Sequence, residues 1–165
     1  MKYLEARDRI NTGDLVAVKS RQGFLPTLTR LVDGPYTHTG IAIWIEGGLY
    51  ISEINSGGNH LVPLSQVDQP FSVLPSPVST NGGLRGSLFY NLRSKVHYGF
   101  VGLIRIGLYS LFGVVTKPWT EDPVCDEFSI KVYTDAGWLG VGLPPVVSPS
   151  GLVRALGLPI LEVEP

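Results

Sequence analysis

The chain has 165 residues, of which 44% are hydrophobic and 16% charged, a composition typical of a globular protein and not of a disordered segment. Thirteen basic residues stand against fourteen acidic ones, and this balance does not favour binding to nucleic acid or to an anionic membrane surface. A single cysteine excludes an intramolecular disulfide and leaves one candidate thiol nucleophile. The length predicts one domain over residues 1–165.

Short apolar runs rich in β-branched and aromatic residues, separated by Gly-containing turns, predict an antiparallel meander in the N-terminal half of the chain. A hairpin turn is expected at Gly47-Gly48. The predicted strands are 15–19, 40–46, 49–55, 60–64 and 70–74.

Apolar residues at helical spacing predict helices elsewhere. The expected helices are 27–32, 86–96, 103–112, 125–136 and 151–156, the last of them capped by the segment Ser148–Ser150. Together with the strands, they indicate an α+β fold in which a small antiparallel sheet packs against helices.

The most apolar segment, 98–116, approaches the length of a membrane span. Arg105 lies at its middle and four glycines interrupt it, which favours a buried or substrate-lining helix over a transmembrane one. The charged N-terminus lacks the apolar core of a signal peptide, so a cytoplasmic protein is expected. If the protein is phage-encoded, we expect it to be associated with the virion instead.

Cys125 follows Pro123 and opens an amphipathic run, which predicts a thiol at a helix N-terminus. Free backbone N–H groups and the helix dipole favour a thiolate there, and the same N–H groups could donate to an oxyanion. The alternative is a buried structural cysteine, a common location for this residue type.

His38 leads into the second predicted strand and is the candidate base for the thiol, with His60 and His97 as the other histidines. Glu53 is the acidic residue inside the otherwise apolar third strand. Antiparallel pairing would bring it towards His38, where it could accept the other imidazole N–H. The alternatives are a solvent-facing Glu53 and an orienting role for Asn55.

No metal site and no cofactor are expected. The spacing of the three histidines and the cysteine matches no usual ligand pattern. The glycines lack the spacing and the Lys-Ser/Thr ending of a phosphate-binding loop.

Five segments, in this order, resemble motifs of the permuted NlpC-like cysteine hydrolases, in particular their YaeF/YiiX-like branch. They correspond to an opening "GD" strand, a histidine strand, an acidic strand, a nucleophile helix and a late Pro-containing segment. In this chain they read TGDLV (12–16), YTHTGIAI (36–43), ISEI (51–54), PVCDEF (123–128) and VSPSGL (147–152).

The resemblance implies a circularly permuted papain-like fold, because His38 precedes Cys125 whereas the cysteine comes first in ordinary papain-like enzymes. It implies Cys125 as nucleophile, His38 as base and Glu53 as the acidic third member. Two residues depart from the family pattern. Thr37 replaces the usual serine before the histidine, and Asp126 replaces the serine after the cysteine, where a carboxylate would disfavour the thiolate.

Three aromatic residues are expected to bind substrate: Tyr98, which aligns loosely with a tyrosine near the family's substrate groove, and also Tyr36 and Trp119. Relatives of this fold cleave peptidoglycan stem peptides or act on lipid acyl groups. The sequence therefore predicts a thiol-dependent amide or ester hydrolase acting on a small peptide, peptidoglycan or an acyl lipid. The apolar segment favours the acyl substrate. The alternative is a catalytically weak or inactive papain-like module that serves as a binding or structural component of a larger assembly.

Overall fold

A six-stranded antiparallel sheet organises the protein. The computed structural model describes residues 1–19, 33–55, 57–94, 100–115 and 123–165. In spatial order the strands run β4-β3-β2-β1-β5-β6. Their bounds are β1 Leu15–Lys19, β2 Tyr36–Ile45, β3 Gly48–Asn55, β4 Gly58–Pro63, β5 Phe71–Leu74 and β6 Leu161–Val163.

The hairpin between β2 and β3 turns one residue earlier than predicted. Ile45 pairs with Gly48, which leaves Glu46 and Gly47 as a two-residue turn. Both turn residues have positive φ, 48° and 79°, as a hairpin turn that follows the right-handed twist of its strands requires. Gly48 therefore belongs to β3, and the predicted Gly47-Gly48 turn is corrected.

The structure describes five α-helices beside the sheet, and an α+β architecture is confirmed. Their bounds are α1 Tyr3–Ala6, α2 Gly82–Arg93, α3 Phe100–Phe112, α4 Cys125–Asp135 and α5 Pro149–Leu156. Short 3₁₀ turns lie at Arg7–Arg9 and Leu64–Gln66. The predicted helix 27–32 lies outside the described residues.

Two helix starts are explained by their caps. α2 begins before the predicted residue 86 because the Asn81 side chain accepts the N–H groups of Gly83 at 3.0 Å and Leu84 at 3.2 Å. α5 begins at Pro149, and the Ser148 hydroxyl accepts the N–H of Gly151 at 3.0 Å. The capping role predicted for the Ser148 segment is thus confirmed.

The sheet buries apolar side chains on both faces. One face carries α2, α4 and α5, and its core includes Leu15, Ile41, Ile43, Leu84, Phe128, Val132 and Leu152. The other is covered by the N-terminal segment and joins residues such as Ala6, Ile10, Val16, Ile51, Phe71 and Val163. This arrangement lays α4, whose first residue is the cysteine, against β2 and β3.

Several apolar side chains of α3 lie at the surface, which corrects the buried alternative for this helix, and the substrate-lining alternative stays a prediction. Ile104, Leu111 and Phe112 are 63%, 59% and 72% exposed. Arg105 is buried instead and donates to Glu127 Oε1 of α4 at 2.9 Å. Across the described ranges, every helix is too short or too polar to cross a membrane.

Candidate functional site

Cys125 is the first residue of α4, as the sequence predicts. Val124 precedes it in extended conformation, and the Val124 N–H donates to Glu127 Oε2 at 3.2 Å. The thiol is 3% exposed and belongs to the core beneath the sheet. The first turn of a helix leaves backbone N–H groups without intrahelical partners, so the sulfur lies beside potential donors to an oxyanion.

His38 and Glu53 are in direct contact. The Nε2 atom of His38 lies 2.8 Å from Glu53 Oε2, and the two side chains are 24% and 12% exposed. The regular pairing of β2 with β3 ends at the pair Ile41 and Ser52. His38 and Glu53 lie just beyond that pair. The hairpin therefore brings the two side chains together, as the antiparallel pairing predicts.

Gly40 permits this close approach of the strands. A Cβ atom at Gly40 would lie 2.6 Å from Ile51 Cγ1 and 2.7 Å from the backbone carbonyl of Ser52. Contacts under 3.0 Å are essentially never made by real Cβ atoms, so a side chain here would push β2 away from β3. Packing therefore requires a glycine at position 40, two residues after His38.

We expect Gly40→Ala to lower the free energy of unfolding by roughly 1–3 kcal/mol, because the added methyl group overpacks a close backbone contact. Urea denaturation measures this. Gly86→Ala is the matched control, since nothing lies within 4 Å of a Cβ atom there and the residue is helical. It should raise the free energy of unfolding by about 0.5–1 kcal/mol. Equal effects of the two variants would contradict the packing argument.

Cys125 lies near enough to His38 to affect the pKa of its imidazole. Burial lowers the pKa of the imidazole, but the negative charge and hydrogen bond of Cys125, together with those of Glu53, raise it by more, to about 10. Because Nε2 faces Glu53, Nδ1 is the ring nitrogen left for the sulfur. The imidazolium, paired with the Glu53 carboxylate, is the stable form of this histidine at neutral pH.

Glu53 contacts a second histidine. His60 pairs with it across β3 and β4, and His60 Nε2 lies 3.2 Å from Glu53 Oε1. Burial raises the pKa of Glu53, but the hydrogen bonds and positive charges of His38 and His60 together lower it by more. The carboxylate therefore stays ionised. Asn55 approaches His60 at 2.7 Å, and His97 lies outside the described residues.

Asp126 is fully buried next to the cysteine. Its Oδ1 lies 3.9 Å from the sulfur, and its Oδ2 has no hydrogen-bond partner in the described part of the chain. Burial raises the pKa of this carboxyl to about 8, and the negative charges of Glu127 and Asp33 act in the same direction, although hydrogen bonds oppose them. At neutral pH the neutral acid predominates, so the repulsion of the thiolate expected from the sequence is largely absent.

Of the three predicted substrate-binding aromatic residues, Tyr36 is the one that lies in the described part of the chain. Tyr36 is only 8% exposed, and its hydroxyl lies 2.8 Å from Ser72 Oγ of β5. It spans β1 and connects β2 to β5, and substrate binding by Tyr36 stays a prediction. Tyr98 and Trp119 lie outside the described residues.

The "GD" segment that opens β1 holds α4 in place. The Tyr133 hydroxyl of α4 donates to the Gly13 carbonyl at 2.8 Å. Asp14 accepts the N–H groups of Asn11 at 2.8 Å and Ser76 at 3.2 Å. This segment is structural, and its contribution to the site is the position of α4 on the sheet.

A cavity of about 760 Å³ opens between the C-terminal end of α3 and α5. Its lining includes Asp33, Tyr109, Val146 and Arg154, and Arg154 donates to the Asp33 carbonyl at 2.8 Å. The cavity has the size of a small-molecule pocket, but Cys125 does not line it.

Comparison with known proteins shows the fold. No protein-family model matches the chain, and no curated protein matches it. A crystal structure of the metalloprotein YiiX from Escherichia coli O157:H7 is similar, with a TM-score of 0.58 over 81% of this chain and 69% of that chain. The sequence identity is 21%, so the likeness establishes a YiiX-like α+β architecture and not an activity.

Proposed function

We propose that the protein is a thiol-dependent hydrolase of circularly permuted papain-like fold, in which Cys125 is the nucleophile, His38 its base and Glu53 the residue that orients the imidazole. The observation that carries the proposal is the position of His38, 2.8 Å from the Glu53 carboxylate and near enough to Cys125 for the thiol to raise the pKa of the imidazole. The YiiX-like fold and the chain order histidine, glutamate, cysteine support the permuted form.

The reaction begins with attack of the Cys125 thiolate on an acyl carbon. Backbone N–H groups in the first turn of α4 donate to the oxyanion that forms. The His38 imidazolium then gives its proton to the leaving amine or alcohol as the carbon–nitrogen or carbon–oxygen bond breaks. Water attacks the thioester, gives a proton to His38, and releases the acid and the thiolate.

An apolar acyl group is the substrate that the surface supports best, ahead of a peptidoglycan stem peptide. The exposed apolar residues of α3 lie on a helix joined to α4 by the ion pair of Arg105 with Glu127. An acyl chain lying on α3 would gain free energy from burial of this surface.

No metal enters the proposed mechanism. The similar YiiX structure is described as a metalloprotein, but in this chain the described His, Cys, Asp and Glu residues form no group of three that could hold a metal ion. Both histidines near Glu53 place Nε2 within 3.2 Å of its carboxylate, which supports hydrogen bonding by these side chains.

Alkylation of the thiol tests the proposal without a known substrate. Cys125 is the single cysteine, so intact mass after iodoacetamide treatment reports its modification alone. We expect faster alkylation at pH 7 than for a model thiol, and a slower rate in His38→Ala. Muropeptides, acyl thioesters and N-acyl amino acids, assayed side by side, then identify the substrate class. The protein would instead be favoured as a binding module in a larger assembly if its thiol is alkylated at the rate of a model thiol, His38→Ala does not change that rate, and none of these substrates is turned over.

A further inference from the structure

Glu53 is held at both of its carboxylate oxygens. Oε2 lies 2.8 Å from His38 Nε2, and Oε1 lies 3.2 Å from His60 Nε2. The terminal torsion of a glutamate is soft, so a carboxylate bound at one oxygen can rotate away from its partner. The second contact, from the neighbouring strand β4, fixes the plane of the carboxylate and with it the direction of Oε2.

His60 is itself oriented by its surroundings. Its Nδ1 lies 2.9 Å from the Gly58 carbonyl, which only accepts, so Nδ1 carries a proton. Nε2 is therefore the atom that changes with protonation. Asn55 Oδ1 accepts the N–H of Gly57 at 2.8 Å, so the Asn55 amide group presents Nδ2 to His60 Nε2 at 2.7 Å.

Two partners thus compete for one nitrogen. In neutral His60, Nε2 accepts from the Asn55 amide. In the imidazolium, Nε2 carries a proton and donates to Glu53 Oε1. In the described part of the chain, the ion pairing of His60 is with Glu53. Beside His60 on β4, Asn59 donates to the Asn91 carbonyl of α2 at 2.6 Å and to the carbonyl of Ser94, the C-cap residue of α2, at 3.1 Å.

We propose that His60 is a positioning residue: it donates its Nε2–H to Glu53 Oε1 and thereby holds Glu53 Oε2 on His38. Asn55 stabilises the neutral form of His60, which does not support Glu53. The inference rests on the proposed hydrolase function. His60 touches no reacting atom and acts through Glu53 and His38. The low pKa of Glu53, to which the charge and hydrogen bond of His60 contribute, supports this role.

The test uses the rate of Cys125 alkylation by iodoacetamide between pH 5 and pH 9 in His60→Ala and His60→Gln. We expect His60→Ala to slow alkylation at pH 6–7 by roughly tenfold, the lower end of what an outer-shell partner contributes. His60→Gln retains an amide donor for Oε1 and should recover most of the rate. With an acyl substrate, kcat should fall in His60→Ala while KM stays unchanged.

Asn59→Ala is the matched control on the same strand. It removes the hydrogen bonds from β4 to α2 and should lower stability without slowing alkylation. If His60→Ala alkylates at the wild-type rate while His38→Ala is slow, His60 has no positioning role and the hydrolase proposal stands. If the wild-type rate equals that of a model thiol and His38→Ala does not change it, both proposals fail.

Discussion

Alanine in place of Cys125 should reduce hydrolysis by roughly 10⁴-fold or more, because it removes the atom that forms the covalent intermediate. The fold should persist. The thiol is small, and its loss from the core beneath the sheet should cost about 1–2 kcal/mol. Initial rates on the substrate found in the panel, together with urea denaturation curves, measure the two effects separately.

Two further variants sharpen the Cys125→Ala experiment. Cys125→Ser keeps the shape of the side chain but replaces the thiol by a hydroxyl that does not ionise at these pH values, and it should also be inactive. Lys131→Ala changes a half-exposed residue of the same helix, whose partner is Asp135, and should leave turnover unchanged. Turnover at the wild-type rate in Cys125→Ala would end the proposal.

Asp126→Asn should raise the free energy of unfolding at high pH and change this free energy little at low pH. The pKa of Asp126 is about 8 in the folded state, against an ordinary value of 3.8. The folded state therefore keeps a proton that the unfolded chain releases above about pH 4. This contribution to stability is fully present below pH 3.8, declines as pH rises and is lost by about pH 8. Asparagine removes the buried charge and its pH dependence.

The expected gain is roughly 1–3 kcal/mol in the free energy of unfolding at pH 9, the usual cost of an unsatisfied buried polar group. Urea denaturation at pH 4 and pH 9 measures it. Asp8→Asn is the control, because Asp8 is exposed and forms only a surface contact with Arg7. A gain of the same size at both pH values would show that Asp126 does not titrate as described.

Local signals explain what the sequence predicts well. The helix start at Cys125 follows from Pro123 and from the apolar spacing after it. The approach of Glu53 to His38 follows from a hairpin, in which a short turn determines which residues face each other. These parts of the fold and site depend on residues close together in the chain.

The remaining features depend on tertiary packing. β6 has three residues and pairs with β5, almost ninety positions earlier in the chain, so its local pattern carries little signal. The exposure of α3 and the burial of Tyr36 are decided by neighbours distant in sequence. The neutral state of Asp126 likewise arises from desolvation, which no spacing rule reports. The catalytic roles of Cys125, His38 and Glu53 stay predictions.

Glu127 connects α3 to the N-terminus of α4. One of its oxygens binds Arg105 in the middle of α3, and the other accepts the N–H of Val124, the residue just before Cys125. A displacement of α3 that keeps both hydrogen bonds would therefore shift the peptide between Pro123 and Val124, next to Cys125. The Glu127 carboxylate in this way couples the apolar outer surface to the segment that precedes the thiol.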